Sequence, residues 1–107
     1  MENNFSQTVA VIHTAFEDSP RTVAFVEVGN VDVIGETDAL EYAYMMTNNI
    51  TGSWSRDGHK DIEVIAELPV SKRTGEVMGL RSTSMGDMML LGNRKFKVGM
   101  VGFEEIV

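Results

Sequence analysis

One short polar stretch, Asp57-Gly58-His59-Lys60-Asp61, contains residues that could do chemistry. Carboxylate and imidazole groups are common protein ligands of divalent metals, and alternate residues of an extended chain can converge on one ion. Asp57, His59 and Asp61 therefore suggest a metal-dependent hydrolase as one hypothesis. The alternative interpretation is a solvated turn, because one histidine and two aspartates beside a glycine are typical of a surface loop.

A second group of residues follows the predicted helix and offers an aromatic ring, two amides and a guanidinium: Asn48, Asn49, Trp54 and Arg56. A small polar ligand, a nucleotide or a partner peptide would require groups of this kind. The same groups would also satisfy the free carbonyls at the end of a helix. Trp54 therefore either folds back over the core or stays partly exposed for a ligand, and both interpretations remain open.

Arg81, Ser82 and Ser84 could extend this ligand site. Their guanidinium and hydroxyl groups would hold an anion through charge-assisted hydrogen bonds. The alternative interpretation is a turn that leads into the last hairpin. In such a turn, Asp87 would accept hydrogen bonds from backbone N–H groups.

Motifs of nucleophilic catalysis are absent from the sequence. It contains no cysteine, no G-x-S-x-G and no glycine-rich phosphate loop with a lysine. His13 lies in an apolar stretch, which is typical of a hydrogen-bonded core or edge histidine rather than of a catalyst. We therefore predict a protein that is not an enzyme and uses no cofactor.

The net charge of −7 is divided unevenly along the chain. Residues 1–50 hold eight acids against one base, whereas residues 51–107 hold eight of each. Binding to phosphate backbones relies on Lys and Arg, so this distribution argues against direct nucleic-acid binding. It favours a cationic partner protein instead. The candidate partner-binding residues are the acids Glu17, Asp18, Glu27, Asp32 and Glu36.

The order of the elements predicts one α+β domain over residues 1–107. We expect an antiparallel sheet of about five strands with one helix packed across it. The predicted strands are residues 7–16, 21–28, 61–68, 88–91 and 94–100, with Gly92-Asn93 as a tight turn. Glycines at positions 86, 92, 99 and 102 would also permit the sheet to curl toward a small barrel.

The predicted helix runs from about Ala39 to Ile50, where there is no glycine or proline. Thr37 or Asp38 would cap its start, since their side-chain oxygens accept from free backbone N–H groups. Its apolar face is wide, so most of the helix should be covered. Asn48, Asn49 and Gly52 would end it, because Asn and Gly tolerate the left-handed conformation that closes a helix.

Four motifs in this chain resemble a group of small accessory proteins encoded by tailed bacteriophages and mobile elements. They are LEYAY, TNNI-x-GSWSR, RSTS-x-GD and GFEEI, and the resemblance covers residues 38–56 and 81–106. The function of this group is mostly unassigned. The resemblance therefore implies a phage origin and a host-cell compartment more than an activity.

Three hypotheses about function follow. The first is a non-enzymatic phage protein whose acidic N-terminal half binds a host protein, such as a basic nucleic-acid-binding factor of defence, transcription or replication. The second is a small-ligand or nucleotide-binding module, and the third is the hydrolase. Absence of cysteine favours a reducing cytoplasm, and no apolar run approaches the roughly 20 residues of a membrane span.

Overall fold

The chain forms one open antiparallel sheet and two helices, and the computed structural model describes residues 7–106. The strands are β1 (Gln7–His13), β2 (Arg21–Gly29), β3 (Ile62–Val64), β4 (Met88–Leu91), β5 (Arg94–Val98) and β6 (Phe103–Ile106), and the helices are α1 (Val31–Ile34) and α2 (Glu36–Met46). The spatial order of the strands is β3-β2-β1-β4-β5-β6.

The α+β class and the antiparallel sheet are confirmed, whereas the number of elements differs from the prediction. Phe103–Ile106 pairs with β5 and adds a sixth strand. Among the described residues, β3 and β6 form the two edges and do not pair with each other, so the sheet is open rather than a barrel.

The strand predicted over residues 61–68 is much shorter in the structure. Its pairing with β2 covers only Ile62–Val64. The backbone N–H groups of Ile65 and Ala66 then both donate to the carbonyl of Val23, at 2.9 and 3.3 Å. Regular pairing ends there because two donors share one acceptor, at a position where β2 also shifts its register with β1.

Residues 31–34, for which the predicted strands and helix left no element, form the short helix α1. The side chain of Asn30 accepts a hydrogen bond from the backbone N–H of Asp32 and so caps this helix. Gly35, at φ 91°, then turns the chain directly into α2. A left-handed φ of this kind is easy only for glycine.

Helix α2 is displaced toward the N-terminus relative to the prediction. It begins at Glu36, and no side chain caps it, so Thr37 and Asp38 lie inside the first turn. It ends at Met46, because the Thr47 hydroxyl donates to the Ala43 carbonyl at 2.9 Å. That side-chain hydrogen bond takes the place of a continuing backbone turn.

The core lies between α2 and one face of the sheet. Val9, Val11 and Met89 on that face are 0% exposed, and burial of each such side chain stabilises the fold by about 1.5–3 kcal/mol. From the helix side, the core receives the buried residues Ala39, Leu40 and Ala43. This packing fixes α2 over β1 and β2 and leaves the opposite face of the sheet without a helix among the described residues.

Candidate functional site

The carboxylate of Asp87 is completely buried and accepts several hydrogen bonds. Arg81 donates to its two oxygens at 2.8 and 2.9 Å. The backbone N–H groups of Thr14, Ala15 and Ser84 also donate to it, at 2.8 to 2.9 Å. Five donors therefore hold one carboxylate and tie the end of β1 to the start of β4.

The charge of this buried group is stabilised by its donors. Burial alone would raise the pKa of Asp87, but the hydrogen bonds from Arg81 and from three backbone N–H groups outweigh burial and lower it. The bond to Asp87 also raises the pKa of Arg81. Arg81 donates in addition to Glu17 at 3.3 Å, so one of the proposed partner-binding acids is occupied by an internal ion pair.

His13 lies beside this pair and is 0% exposed. Its Nε2 lies 3.0 Å from the Thr83 hydroxyl and 3.9 Å from the Asp87 carboxylate, whereas Nδ1 has no hydrogen-bond partner among the described residues. Burial lowers the pKa of His13, so the ring is held neutral. The proton then belongs on Nε2, because a bare lone pair is less unfavourable to bury than an unpaired N–H group.

Trp54 is also part of the protein interior and is only 6% exposed. Its indole N–H donates to the carbonyl of Arg81 at 2.8 Å, and its ring and the His13 ring form a T-shaped contact at a centroid distance of 6.4 Å. The structure therefore shows the first of the two sequence interpretations, in which Trp54 folds back over the core.

The neighbouring polar residues of the predicted ligand site join the same two segments. The Asn49 side chain accepts the Trp54 backbone N–H at 2.9 Å and donates to the Leu80 carbonyl at 3.0 Å. The Asn49 backbone N–H donates to the Ser82 hydroxyl oxygen at 2.8 Å. The backbone N–H of Ser84 is committed to Asp87. Hydrogen bonds of the residues predicted as ligand contacts therefore join loop 47–56 to loop 80–84.

Two residues of that predicted ligand group lie elsewhere. Asn48 donates its amide to the Tyr44 carbonyl and seals the end of α2. Its other side borders a groove of about 450 Å³, which we call the apolar groove. Arg56 is exposed and is not among the residues that line this groove. The apolar groove has large apolar residues in its lining, namely Met45, Met46, Ile50, Trp54 and Ile62, and its polar residues are Asn48, Thr51, Ser53, Asp57 and His59.

The three predicted metal ligands do not converge. Asp57 and His59 border the apolar groove, but the carboxylate of Asp61 turns away to accept the Tyr42 hydroxyl at 2.6 Å. His59 uses Nδ1 to accept the backbone N–H of Asp61 at 3.0 Å. Within residues 7–106 there is no group of three or more His, Cys, Asp or Glu side chains that could hold a metal ion.

Asp61 belongs instead to a second groove of about 470 Å³, which we call the acidic groove. Its carboxylates come from three chain segments: Glu27 from β2, Asp38 from α2 and Asp61 from the residue before β3. Lys60 is the basic residue of the lining. Apolar walls are supplied by Val28 and Ile34, and Gly29 and Tyr42 complete the lining.

The Tyr42 hydroxyl fixes the most enclosed acid of this groove. Its hydrogen bond lowers the pKa of Asp61, with a smaller contribution from Lys60, and raises the pKa of Tyr42 to about 12. At neutral pH, Tyr42 therefore stays protonated, and its hydroxyl donates a hydrogen bond to an ionised Asp61. Glu27 and Asp38 are exposed, so their carboxylates face solvent.

The five acids predicted to bind a partner do not form one patch. Glu17 and Asp18 lie in the loop between β1 and β2, whereas Glu27 lies near the other end of β2, about 20 Å away at roughly 3.3 Å per residue. Glu36 forms an ion pair with Arg94. Only Glu27 lines the acidic groove, with Asp32 in the adjacent helix α1.

Sequence reasoning missed Asp38, Tyr42 and Asp61 as one acidic site. Asp38 and Tyr42 are four residues apart and so share a face of α2, which was an available signal. Asp61 reaches them only because its carbonyl accepts the backbone N–H of Glu27 at 2.7 Å, beside the pairing of β3 with β2. That long-range contact has no local sequence pattern.

No protein-family model, curated protein or solved structure matches this chain. Neither helix within residues 7–106 has the length and apolar character needed to cross a membrane. We therefore infer the function from the geometry and charge of the two grooves.

Proposed function

We propose that the protein is a non-enzymatic binding module that holds a cationic segment of a partner protein in its acidic groove. One observation carries this proposal: three carboxylates from separate chain segments, Glu27, Asp38 and Asp61, line one groove of about 470 Å³. Lys60 lies 3.6 Å from Asp61 within this lining, so three carboxylates share one ammonium group and the groove keeps a net negative potential. A Lys or Arg side chain would neutralise it.

The groove also suits the shape of such a side chain. Lys and Arg combine an aliphatic stem with a charged head. Val28 and Ile34 offer apolar contact for the stem, and the carboxylates of Glu27 and Asp38 are exposed for the head. An arginine could bind a carboxylate through two parallel hydrogen bonds.

A host protein is the partner class that the sequence supports. The resemblance to accessory proteins of tailed phages favours a host target, and the excess of acid in residues 1–50 would repel phosphate groups. A basic nucleic-acid-binding protein of the host cytoplasm combines both features, since its cationic surface complements the groove. This assignment of partner and compartment is part of the proposal.

The test is a fluorescence anisotropy titration with a labelled peptide rich in Lys and Arg. We expect the wild-type protein to bind it, with an affinity that falls as salt rises from about 50 to 500 mM. The double variant Glu27→Gln/Asp38→Asn should bind at least about tenfold more weakly, because the groove loses two charges.

The matched control removes the same charge from outside the groove, with the double variant Asp18→Asn/Glu76→Gln, at two exposed positions. It should bind like the wild type. Equal weakening by both double variants would show that only net charge matters, and an absence of binding by the wild type would refute the proposal.

A second candidate function is binding of a small, largely apolar ligand in the apolar groove. The observation that favours it is the meeting of Asn48, Asp57 and His59 at the rim of a groove walled by methionines. Trp54 is the single tryptophan of the chain and lines this groove. A ligand there should change its fluorescence, whereas a peptide in the acidic groove should leave that emission unchanged.

A further inference from the structure

The face of the sheet opposite α2 carries one row of residues that crosses all six strands. The register places Glu63 opposite Phe25, Phe25 opposite Ala10 and Ala10 opposite Leu90. It continues with Leu90 opposite Lys95 and Lys95 opposite Ile106. We call this the open-face row, and in spatial order it consists of Glu63, Phe25, Ala10, Leu90, Lys95 and Ile106.

The row faces away from the core because side chains alternate along a strand. Val9 and Val11, the neighbours of Ala10, are 0% exposed on the inner face. On the open face, Phe25 is 37% exposed. Ala10 and Leu90 are partly exposed, as are Ile12 and Met88, which form the next pair along β1 and β4. The centre of the face is therefore apolar and accessible to a partner.

The charges of the row are placed symmetrically about β1. Glu63 lies on β3, two strands to one side of Ala10, and Lys95 lies on β5, two strands to the other side. At about 4.8 Å per strand, each charge is roughly 10 Å from β1. Phe25 and Leu90 lie one strand away on opposite sides. An acid and a base thus stand at equal distances from the same central alanine.

We propose that this face packs against the same face of a second copy of the chain, around a two-fold axis parallel to β1 that passes between the two Ala10 residues. Such an axis keeps each residue at its height along the strand and reverses the order of the strands. Glu63 of each copy then lies over Lys95 of the other, and Phe25 lies over Leu90. A two-fold axis perpendicular to the strands would not exchange the two flanks, so acid would face acid.

The small side chain of Ala10 suits the position on the axis. Two sheets pack face to face at about 10 Å when the side chains between them fit, and two alanines leave room for Phe25 and Leu90 on either side. The overlap covers five strands and is therefore about 20 Å wide, which is at the small end of specific interfaces. We expect a dimer that forms reversibly with concentration.

This inference does not depend on the acidic groove. Asp38 and Asp61 lie outside the open-face row, and Lys95 lies three strands from Glu27. Failure of peptide binding would leave the dimer untouched, and a monomeric protein could still bind the peptide. The two results are therefore distinguishable.

The test is sedimentation velocity of the full chain over a range of concentrations. The wild type should shift from monomer to dimer as concentration rises. Glu63→Lys and Lys95→Glu should each weaken the dimer by about tenfold or more, because symmetry converts two attractive pairs into two repulsive ones. An equimolar mixture of the two variants should form a heterodimer, since both of its pairs are again of opposite charge.

Two more variants separate this interface from others. Ala10→Glu should abolish the dimer, because two carboxylates would meet on the axis. Ile106→Ser is the matched control: it lies in the same row but on β6, beyond the edge of the facing sheet, and should leave dimerisation unchanged. Circular dichroism and thermal unfolding check that each variant is folded.

The proposal is overturned by a wild type that remains monomeric at all concentrations. It is equally overturned by a dimer that both charge reversals leave intact, or by single variants that do not recover when mixed. Because Glu63 and Lys95 are exposed, neither reversal disturbs the core, and the mixing experiment remains interpretable.

Discussion

Arg81 donates hydrogen bonds to both carboxylate oxygens of Asp87, from Nη1 to Oδ2 at 2.8 Å and from Nη2 to Oδ1 at 2.9 Å. The two residues are six positions apart, at the ends of the RSTS-x-GD motif. Backbone N–H groups of Thr14 and Ala15 complete the carboxylate's hydrogen bonds from more than 70 residues away. The structural role of this motif is therefore to join residues 81–87 to the end of β1, which the serines and the arginine of the motif do not by themselves indicate.

Loss of the Asp87 charge should strongly destabilise the fold. Asp87→Asn keeps the shape but removes the buried, closer counter-charge of Arg81, whose side chain is 27% exposed, and leaves it only Glu17 at 3.3 Å. Breaking a buried ion pair in this way costs about 3–5 kcal/mol. Urea denaturation would measure it, with Asp18→Asn as a control at an exposed position. Equal stability of Asp87→Asn and the wild type would contradict the structural role.

Stability should fall as the pH drops below about 6.5, because burial lowers the pKa of His13 from its ordinary value. The unfolded chain then binds a proton that the folded chain resists. The loss of stability therefore begins at the unfolded-state pKa and levels off only below the folded-state pKa. Asp87 also makes the stability fall as the pH drops, but in a lower pH range, because its pKa is lowered from 3.8.

The variant His13→Phe separates these two contributions. Its free energy of unfolding should be nearly flat between pH 7.5 and about 5, where the wild type declines. His59→Asn removes the other histidine and should preserve the wild-type decline. A decline of the same size in His13→Phe would assign the pH dependence to other groups.

Trp54 should contribute to stability through its indole N–H as well as through its ring. Trp54→Phe retains an aromatic side chain but leaves the Arg81 carbonyl without the donor that now lies at 2.8 Å. A buried acceptor without a partner costs about 1–3 kcal/mol. Thermal unfolding should therefore show a lower midpoint, and an unchanged midpoint would show that this hydrogen bond does not support the fold.

Tyr42→Phe should change the acidic groove without unfolding the protein. The tyrosine hydroxyl is the largest cause of the lowered pKa of Asp61. Its removal should raise that pKa toward the ordinary value of an aspartate, which a carboxyl-carbon NMR titration would detect. An Asp61 titration curve that does not move would mean that the hydrogen bond is absent in solution.

Local patterns in the sequence predict the parts of the fold that depend on neighbours. Met88–Leu91 has the predicted bounds, and β5 starts at Arg94 as expected, because Gly92, at φ 65°, supplies the positive φ that a tight turn needs. The α+β class follows from the order of the predicted strands and helix along the chain. The predicted turn in which Asp87 accepts a backbone N–H is also present, at Ser84.

Long-range contacts account for what the sequence could not predict. Glu17 and Glu36 are acids of the first half of the chain, yet each is paired with a guanidinium of the second half, Arg81 and Arg94 respectively. A charge count by halves cannot detect such pairing. The acidic groove depends likewise on the approach of Asp61 to β2, which the pairing of β3 determines.

The most direct test of the central claim is NMR mapping of the cationic peptide on the uniformly labelled protein. We predict that backbone amide shifts change around Glu27, Asp38, Lys60 and Asp61, and that these changes disappear in the Glu27→Gln/Asp38→Asn variant. Shift changes confined to loop 14–20 or to the apolar groove, or none at all, would contradict the claim that the acidic groove binds a cationic partner.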